Sequence, residues 1–161
     1  MRRLHIGLLF CLSILVNCSS AQASKGSGES NAALAGAWQL PEITNNGVTF
    51  NLVVFFGYDR SGDGWFAAQW AECSGAQGSV VARVRSPIRV TADEIVASKG
   101  ASDTETSDDG LTCTAMVRTG TLHYAVSQDG SRLTLSNDET GESATISRTV
   151  CPDDCTWPSQ E

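Results

Sequence analysis

The sequence predicts an all-β protein, an antiparallel meander closed as a single barrel of eight to ten strands and stabilised by disulfides. Three observations carry this. Apolar and polar residues alternate with a period of two over most of residues 34–149. Turn-forming residues interrupt these runs at intervals of about ten residues. Apolar residues at helical spacing are nowhere as clear in that stretch. Closure into a barrel removes the sheet edges that such a meander would otherwise expose. A two-sheet sandwich has the same cadence and is the alternative.

Taken in order, Val48, Phe50, Leu52, Val54 and Phe56 alternate with Thr49 and Asn51, which predicts a strand with one apolar face. Residues 65–73 are apolar on both parities, with Phe66, Ala68 and Trp70 sharing one side. Val80, Ala82 and Val84 alternate with Arg83 and Arg85, and residues 88–91 and 94–96 flank a two-residue turn at Ala92-Asp93. Residues 99–110 (KGASDTETSDDG) are almost devoid of apolar side chains and read as an exposed loop. Leu122, Tyr124 and Val126 form the next alternation, and Asp129-Gly130 predicts a type I′ hairpin turn. Leu133 and Leu135 follow, and Gly141 turns the chain into Ala144, Ile146 and Arg148.

The N-terminus carries export features. Arg2 and Arg3 precede a thirteen-residue, largely apolar run over residues 4–16, short for a membrane span. Ala21-Gln22-Ala23 is a small-x-small cleavage pattern, which makes residues 1–23 a signal peptide and 24–33 a flexible polar lead-in. Leu15-Val16-Asn17-Cys18 competes with it as a lipobox, making Cys18 a candidate for lipidation and a membrane anchor. The expected location is therefore periplasmic or secreted, with or without a lipid anchor. Loss of residues 1–23 leaves nine cationic side chains against eighteen carboxylates, a net charge of -9. That acidity argues against a nucleic-acid partner, since phosphate binding needs a basic face.

Four cysteines remain after either processing route: Cys73, Cys113, Cys151 and Cys155. An even count in an oxidising compartment predicts two disulfides. Cys73–Cys113 with Cys151–Cys155 is the preferred pairing, and connections from Cys73 or Cys113 to the tail, residues 150–161, stay open. Zinc is disfavoured, because the mature chain holds one histidine and no second close cysteine pair.

No residue pattern points to catalysis. The chain lacks a Gly-x-Ser-x-Gly elbow, a Walker loop and a His-Glu-x-x-His motif. His123 reads as a solvent-facing strand residue. Asp59, Ser61, Asp63 and Gly64 match the first half of a calcium loop, but Trp70 stands where its bidentate carboxylate belongs, so a turn explains them better. The acidic group Asp103, Glu105, Asp108 and Asp109 reads as a solvated loop. No metal and no cofactor are expected.

Leu34-Ala35-Gly36-Ala37-Trp38 supplies a Gly-x-Trp on the first strand after a lead-in. With the strand cadence, this resembles the opening of lipocalins and related calycin barrels, here of the bacterial, exported kind. The resemblance spans roughly residues 34–149 and implies a tryptophan closing one barrel end, with an arginine of the last strand packed across its ring. Trp38 and Arg148 are the matching residues. Segments 88–98 and 122–148 look like the closing hairpins of bacterial lipocalin-like domains. Small periplasmic protease inhibitors share the disulfides, the barrel and a flexible trunk before a similar Gly-x-Trp, a part that residues 24–33 match.

The resulting expectation is a non-catalytic barrel that binds a small, partly apolar ligand. Phe50, Leu52, Val54, Phe66, Trp70 and Tyr124 are its candidate lining residues, with Phe56 on the same strand face. Ala67, Ala68, Ala71 and Ala82 either leave room inside or let bulky neighbours pack. The alternatives are a protein-interaction module, such as a protease inhibitor, and a filled-core structural protein of the envelope.

Overall fold

The computed structural model describes residues 29–58, 64–76 and 78–152. A short helix, α1 (Glu29–Leu34), leads into β1 (Gly36–Gln39), β2 (Ile43–Asn45), β3 (Val48–Tyr58), β4 (Trp65–Gly75) and β5 (Gly78–Val90). β6 (Glu94–Ala97), β7 (Ala101–Thr106) and β8 (Thr112–Val117) follow, then β9 (Gly120–Val126), β10 (Arg132–Asn137) and β11 (Glu142–Thr149). The alternation over residues 48–56 thus becomes β3, and the two runs at 80–84 and 88–91 merge into one strand, β5.

Eight strands close the barrel in the order β1-β11-β10-β9-β6-β5-β4-β3, with β3 pairing back to β1, and every ladder is antiparallel. β2 lies beyond β1 along the same edge of β3. Gln39 pairs with Val53 but Ile43 with Phe50, so four residues of one side span three of the other. This one-residue bulge falls beside Pro41, which has no N–H to contribute to the ladder. The β2–β3 connection is the two-residue turn Asn46-Gly47, both at positive φ (51° and 77°), as a type I′ turn requires.

The turn expected of type I′ at Asp129-Gly130 is different. Ser127 N–H donates to the Arg132 carbonyl and Gly130 N–H to that of Ser127, and only Gly130 takes a positive φ. It is a four-residue loop, and Asp129 keeps an ordinary backbone because its carboxylate organises the loop instead. The turn at Ala92-Asp93 is as expected: Thr91 N–H donates to the Glu94 carbonyl at 2.9 Å, closing β5 on β6. Asn137 forms the β10–β11 corner, accepting from Glu139 N–H at its side chain and from Gly141 N–H at its carbonyl.

Two other expectations change. Residues 29–33 are not a featureless lead-in, since they form most of α1, and Leu34 at its end is fully buried in the core. Residues 101–106 are not loop, because they form β7 and pair with β8 from Ala101↔Val117 to Thr106↔Thr112. Polar side chains hold that hairpin together, with Thr104–Thr114 and Thr106–Thr112 hydroxyl pairs at 3.0 Å. Residues 1–23, the calcium-loop candidates Asp59, Ser61 and Asp63, and Cys155 lie outside the described residues, as does Cys18.

Candidate functional site

One end of the barrel is closed by α1 and the residues beneath it. Trp38 is fully buried and donates its indole N–H to the Leu34 carbonyl at 2.9 Å. Its register partner on β11 is Arg148, whose guanidinium carbon lies 4.2 Å from the indole centroid. Arg148 also donates through Nη2 to the Ala33 carbonyl (2.6 Å), through Nη1 to that of Ala35 (3.0 Å) and through Nε to that of Gly130 (2.7 Å). The helix C-terminal carbonyls thus gain a cation, which suits their partial negative charge. Gly36 permits this: its φ is +126°, and a Cβ there would come within 2.6 Å of Arg148 Nη1.

Tyr124 belongs to the same cap. It is buried, and its hydroxyl lies 2.7 Å from Asn31 Oδ1 and 3.0 Å from the Thr91 carbonyl. The side chain joins β9 to α1 and to the β5–β6 turn.

Towards the other end, the β7–β8 hairpin packs on the inner face of β4 and β5. Leu111, Cys113, Ala115 and Val117 join the core with Ala71, Cys73, Ala82 and Val84. The Cys73–Cys113 disulfide, Cα–Cα 5.5 Å, fastens the hairpin to β4. Polar groups on the inner faces are used in the same docking. Gln69 Oε1 accepts from Met116 N–H at 3.1 Å, and Asp103 Oδ2 accepts from Arg83 N–H on β5 at 2.9 Å. Ser86, almost fully buried, donates to the Lys99 carbonyl at 3.0 Å. Ala71, Ala82 and Ala115 are completely enclosed, so the small side chains make room for the hairpin.

The candidate lining residues divide between two faces. Leu52, Val54 and Phe56 point into the core, with Phe50 half-buried at its margin. Phe66 and Trp70 do not join them. The register sets Leu52 opposite Ala71, Val53 opposite Trp70 and Gly57 opposite Phe66, so both aromatic residues lie on the outer face. Ala68 lies there too, while Ala67, Ala71 and Ala82 are inside. On that outer face Phe66 meets Phe55, ring centroids 5.6 Å apart, and Arg85 lies 3.8 Å over the Phe66 ring.

The remaining sequence candidates take structural places. His123 sits on the outside of β9, with Nε2 3.1 Å from Asp138 Oδ2 and 4.0 Å from Glu94 Oε1. Among the described residues no group of three or more His, Cys, Asp or Glu has metal-binding geometry. Ser127, Gln128, Asp129, Ser131 and Arg132 line a shallow open depression. Hydrogen bonds from the Ser127 hydroxyl (2.5 Å) and from the Ser131 N–H and hydroxyl hold the Asp129 pKa at about 2, below its ordinary 3.8. Cys151 is disulfide-bonded.

Sequence reasoning missed Gln69, Asp103, Asn31 and the hairpin's apolar edge. The signal for that edge was present, because Leu111, Cys113, Ala115 and Val117 alternate with a period of two. Comparison of the chain with protein-family models, curated proteins and solved structures finds no match.

Proposed function

We propose that this is a non-catalytic, exported barrel of lipocalin-like character that works through its outer surface, as a protein-binding module. The observation that carries this reading is the β7–β8 hairpin seated on the inner face of β4 and β5 and tied there by Cys73–Cys113. It covers inner-face surface of β4 and β5 that a carried ligand would otherwise meet. Of the six lining candidates, Phe66 and Trp70 face outward, and the Tyr124 hydroxyl is engaged by α1 and the Thr91 carbonyl. The Trp38–Arg148 stack and the antiparallel closure are what calycin barrels would share. The signal-like N-terminus and the paired cysteines fit an oxidising compartment outside the cytoplasm.

Two titrations of the mature protein test the reading. A long-chain fatty acid followed by tryptophan emission is expected to give no saturable change. A panel of serine and metalloproteases is expected to include at least one enzyme inhibited at near-equimolar protein. Saturable fatty-acid binding would return the assignment to a small-molecule carrier. No inhibition across the panel would remove the protease-directed form of the module.

A further inference from the structure

The ladder around the barrel is incomplete beside the first half of β11. Arg148 N–H donates to the Ser131 carbonyl at 2.8 Å, so the even-numbered residues of β11 turn their backbone groups to the β10 side. Its odd-numbered residues face the other way, where Thr149 and Ser147 are the partners of Ala37 and Gln39. Ser143 and Thr145 also face that way, but β1 ends at Gln39, the chain bulges beside Pro41, and β2 pairs only with β3. Among the described residues no strand pairs with these two, and their N–H and C=O groups form an open edge. Proteins commonly guard such an edge with lysine, proline or a bulge. Residues 142–146 (ESATI) have neither of the two residues, and their ladder with β10 runs without a bulge.

We propose that this edge takes up an extended segment of a partner protein, one that alternates apolar and basic residues and adds as a strand antiparallel to β11. The inference rests on the protein-binding reading above and gives it a site and a partner chemistry. Backbone pairing with Ser143 and Thr145 supplies the register. At this end of the barrel Ile43, Phe50, Leu135 and Ala144 share the inward parity of their strands yet stay half-buried. A partner residue opposite Ala144 points to the same side as Ala144 and Leu135, which selects an apolar side chain. Those opposite Ser143 and Thr145 point to solvent, in acidic surroundings. Glu142 opens β11, Glu139 lies in the corner before it and Glu42 precedes β2, all three exposed. Residues 39–58 and 133–147 contain no lysine or arginine, so charge complementarity favours a basic segment. A second copy fits poorly. Pairing Ser143 of one β11 with Thr145 of another across a two-fold axis sets Gly141 opposite Ser147, a place that Gln39 already holds.

The test is an NMR titration of the full mature chain with the peptide acetyl-Lys-Val-Lys-Val-Lys-amide. The expected result is a set of saturable shifts centred on the Ser143 and Thr145 amides, whose solvent exchange slows several-fold. Methylating the backbone nitrogens of the peptide's lysines should abolish both effects, and replacing its lysines by glutamate should do the same. Thr145→Pro removes an N–H that the β10 ladder does not use, and should weaken binding several-fold. If that variant fails to fold, the methylated peptide makes the same comparison on the unsubstituted protein. No binding, shifts centred on other strands, or equal binding of the methylated peptide would overturn the proposal. The protein-binding reading fails separately, through the protease panel: an enzyme inhibited equally by the unsubstituted protein and by Thr145→Pro would keep that reading and remove this edge from it.

Discussion

Arg148 is the register partner of Trp38 and stacks 4.2 Å over its ring while holding the Ala33 and Ala35 carbonyls. One side chain thereby joins the last strand, the first strand and the helix that caps the barrel. A cation–π contact alone stabilises by roughly 0.5–2 kcal/mol, and charge-assisted hydrogen bonds add to it.

The two residues should therefore be coupled. Trp38→Ala removes a fully buried ring and is expected to cost about 3–5 kcal/mol. Arg148→Ala should cost less, about 2 kcal/mol, because its side chain borders solvent. In a urea-denaturation double-mutant cycle the pair should be non-additive by at least 0.5 kcal/mol or so. Arg148→Lys should recover little, since an ammonium cannot reach three carbonyls while lying flat on an indole. Strict additivity would show that the stack contributes nothing to closure.

A second prediction concerns Gly57 on the outer face. A Cβ there would stand 2.6 Å from Phe55 Cε1 and 2.9 Å from Phe66 Cζ. Gly57→Ala should therefore displace the aromatic pair and cost about 1–3 kcal/mol, the usual penalty for overpacking. Gly64→Ala is the control, because a Cβ at Gly64 meets nothing within 4 Å. Equal thermal midpoints for the two variants would contradict the packing of Phe55 on Phe66.

Much of this fold was legible in local pattern, and the losses have a common physical origin. The alternation of Leu52, Val54 and Phe56 identifies the inward face of β3 without reference to any other strand. The face of Phe66 and Trp70 is set by how β4 is phased against β3. Tyr58 pairs with Trp65, so even-numbered residues of β3 stand opposite odd-numbered residues of β4. Periodicity within one strand carries no information on that phase. Trp38 and Arg148 lie 110 positions apart, and only the resemblance to calycin barrels links them in the sequence. β7 escaped notice because its stability comes from threonine pairs and from Asp103 on the Arg83 N–H, with few apolar side chains.

A third prediction is the response of the Asp129 loop to acid. Its pKa is about 2 in the folded protein against an ordinary 3.8, so folding favours the carboxylate. The sign follows from linkage: the contribution is complete above the unfolded value and is lost as pH falls from about 4 to about 2. The carboxylate is solvent-exposed, so the effect belongs to the 127–132 loop more than to global stability. Hydrogen exchange at Ser131 N–H, normalised for intrinsic rates, should show protection that declines over that interval. Asp129→Asn should flatten the dependence, and an unchanged profile in that variant would assign the titration to another carboxylate.

The last prediction concerns the hairpin that packs on the inner face of β4 and β5. Cys73 and Cys113 are 40 positions apart, and closing a loop of that length lowers the entropy of the unfolded chain by an amount worth about 4 kcal/mol. In the unsubstituted protein neither cysteine should react with an alkylating agent under denaturing, non-reducing conditions, and Cys73→Ala/Cys113→Ala should lose about that much stability, read from urea denaturation. The loss should be unequal along the chain. Thr104–Thr114, Thr106–Thr112 and the contacts to Gln69 and Asp103 are what then hold β7 and β8 in place. Exchange protection should fall first over residues 101–117, while the β3–β4 and β10–β11 ladders remain protected until global unfolding. Departure of the hairpin would uncover Ala71, Ala82 and Val84, so an apolar dye that ignores the native protein should bind the variant before it unfolds. A variant that loses protection uniformly, with no dye binding before the main transition, would show that the hairpin and the barrel form one cooperative unit. The disulfide would then be a general brace, and the hairpin no separable plug.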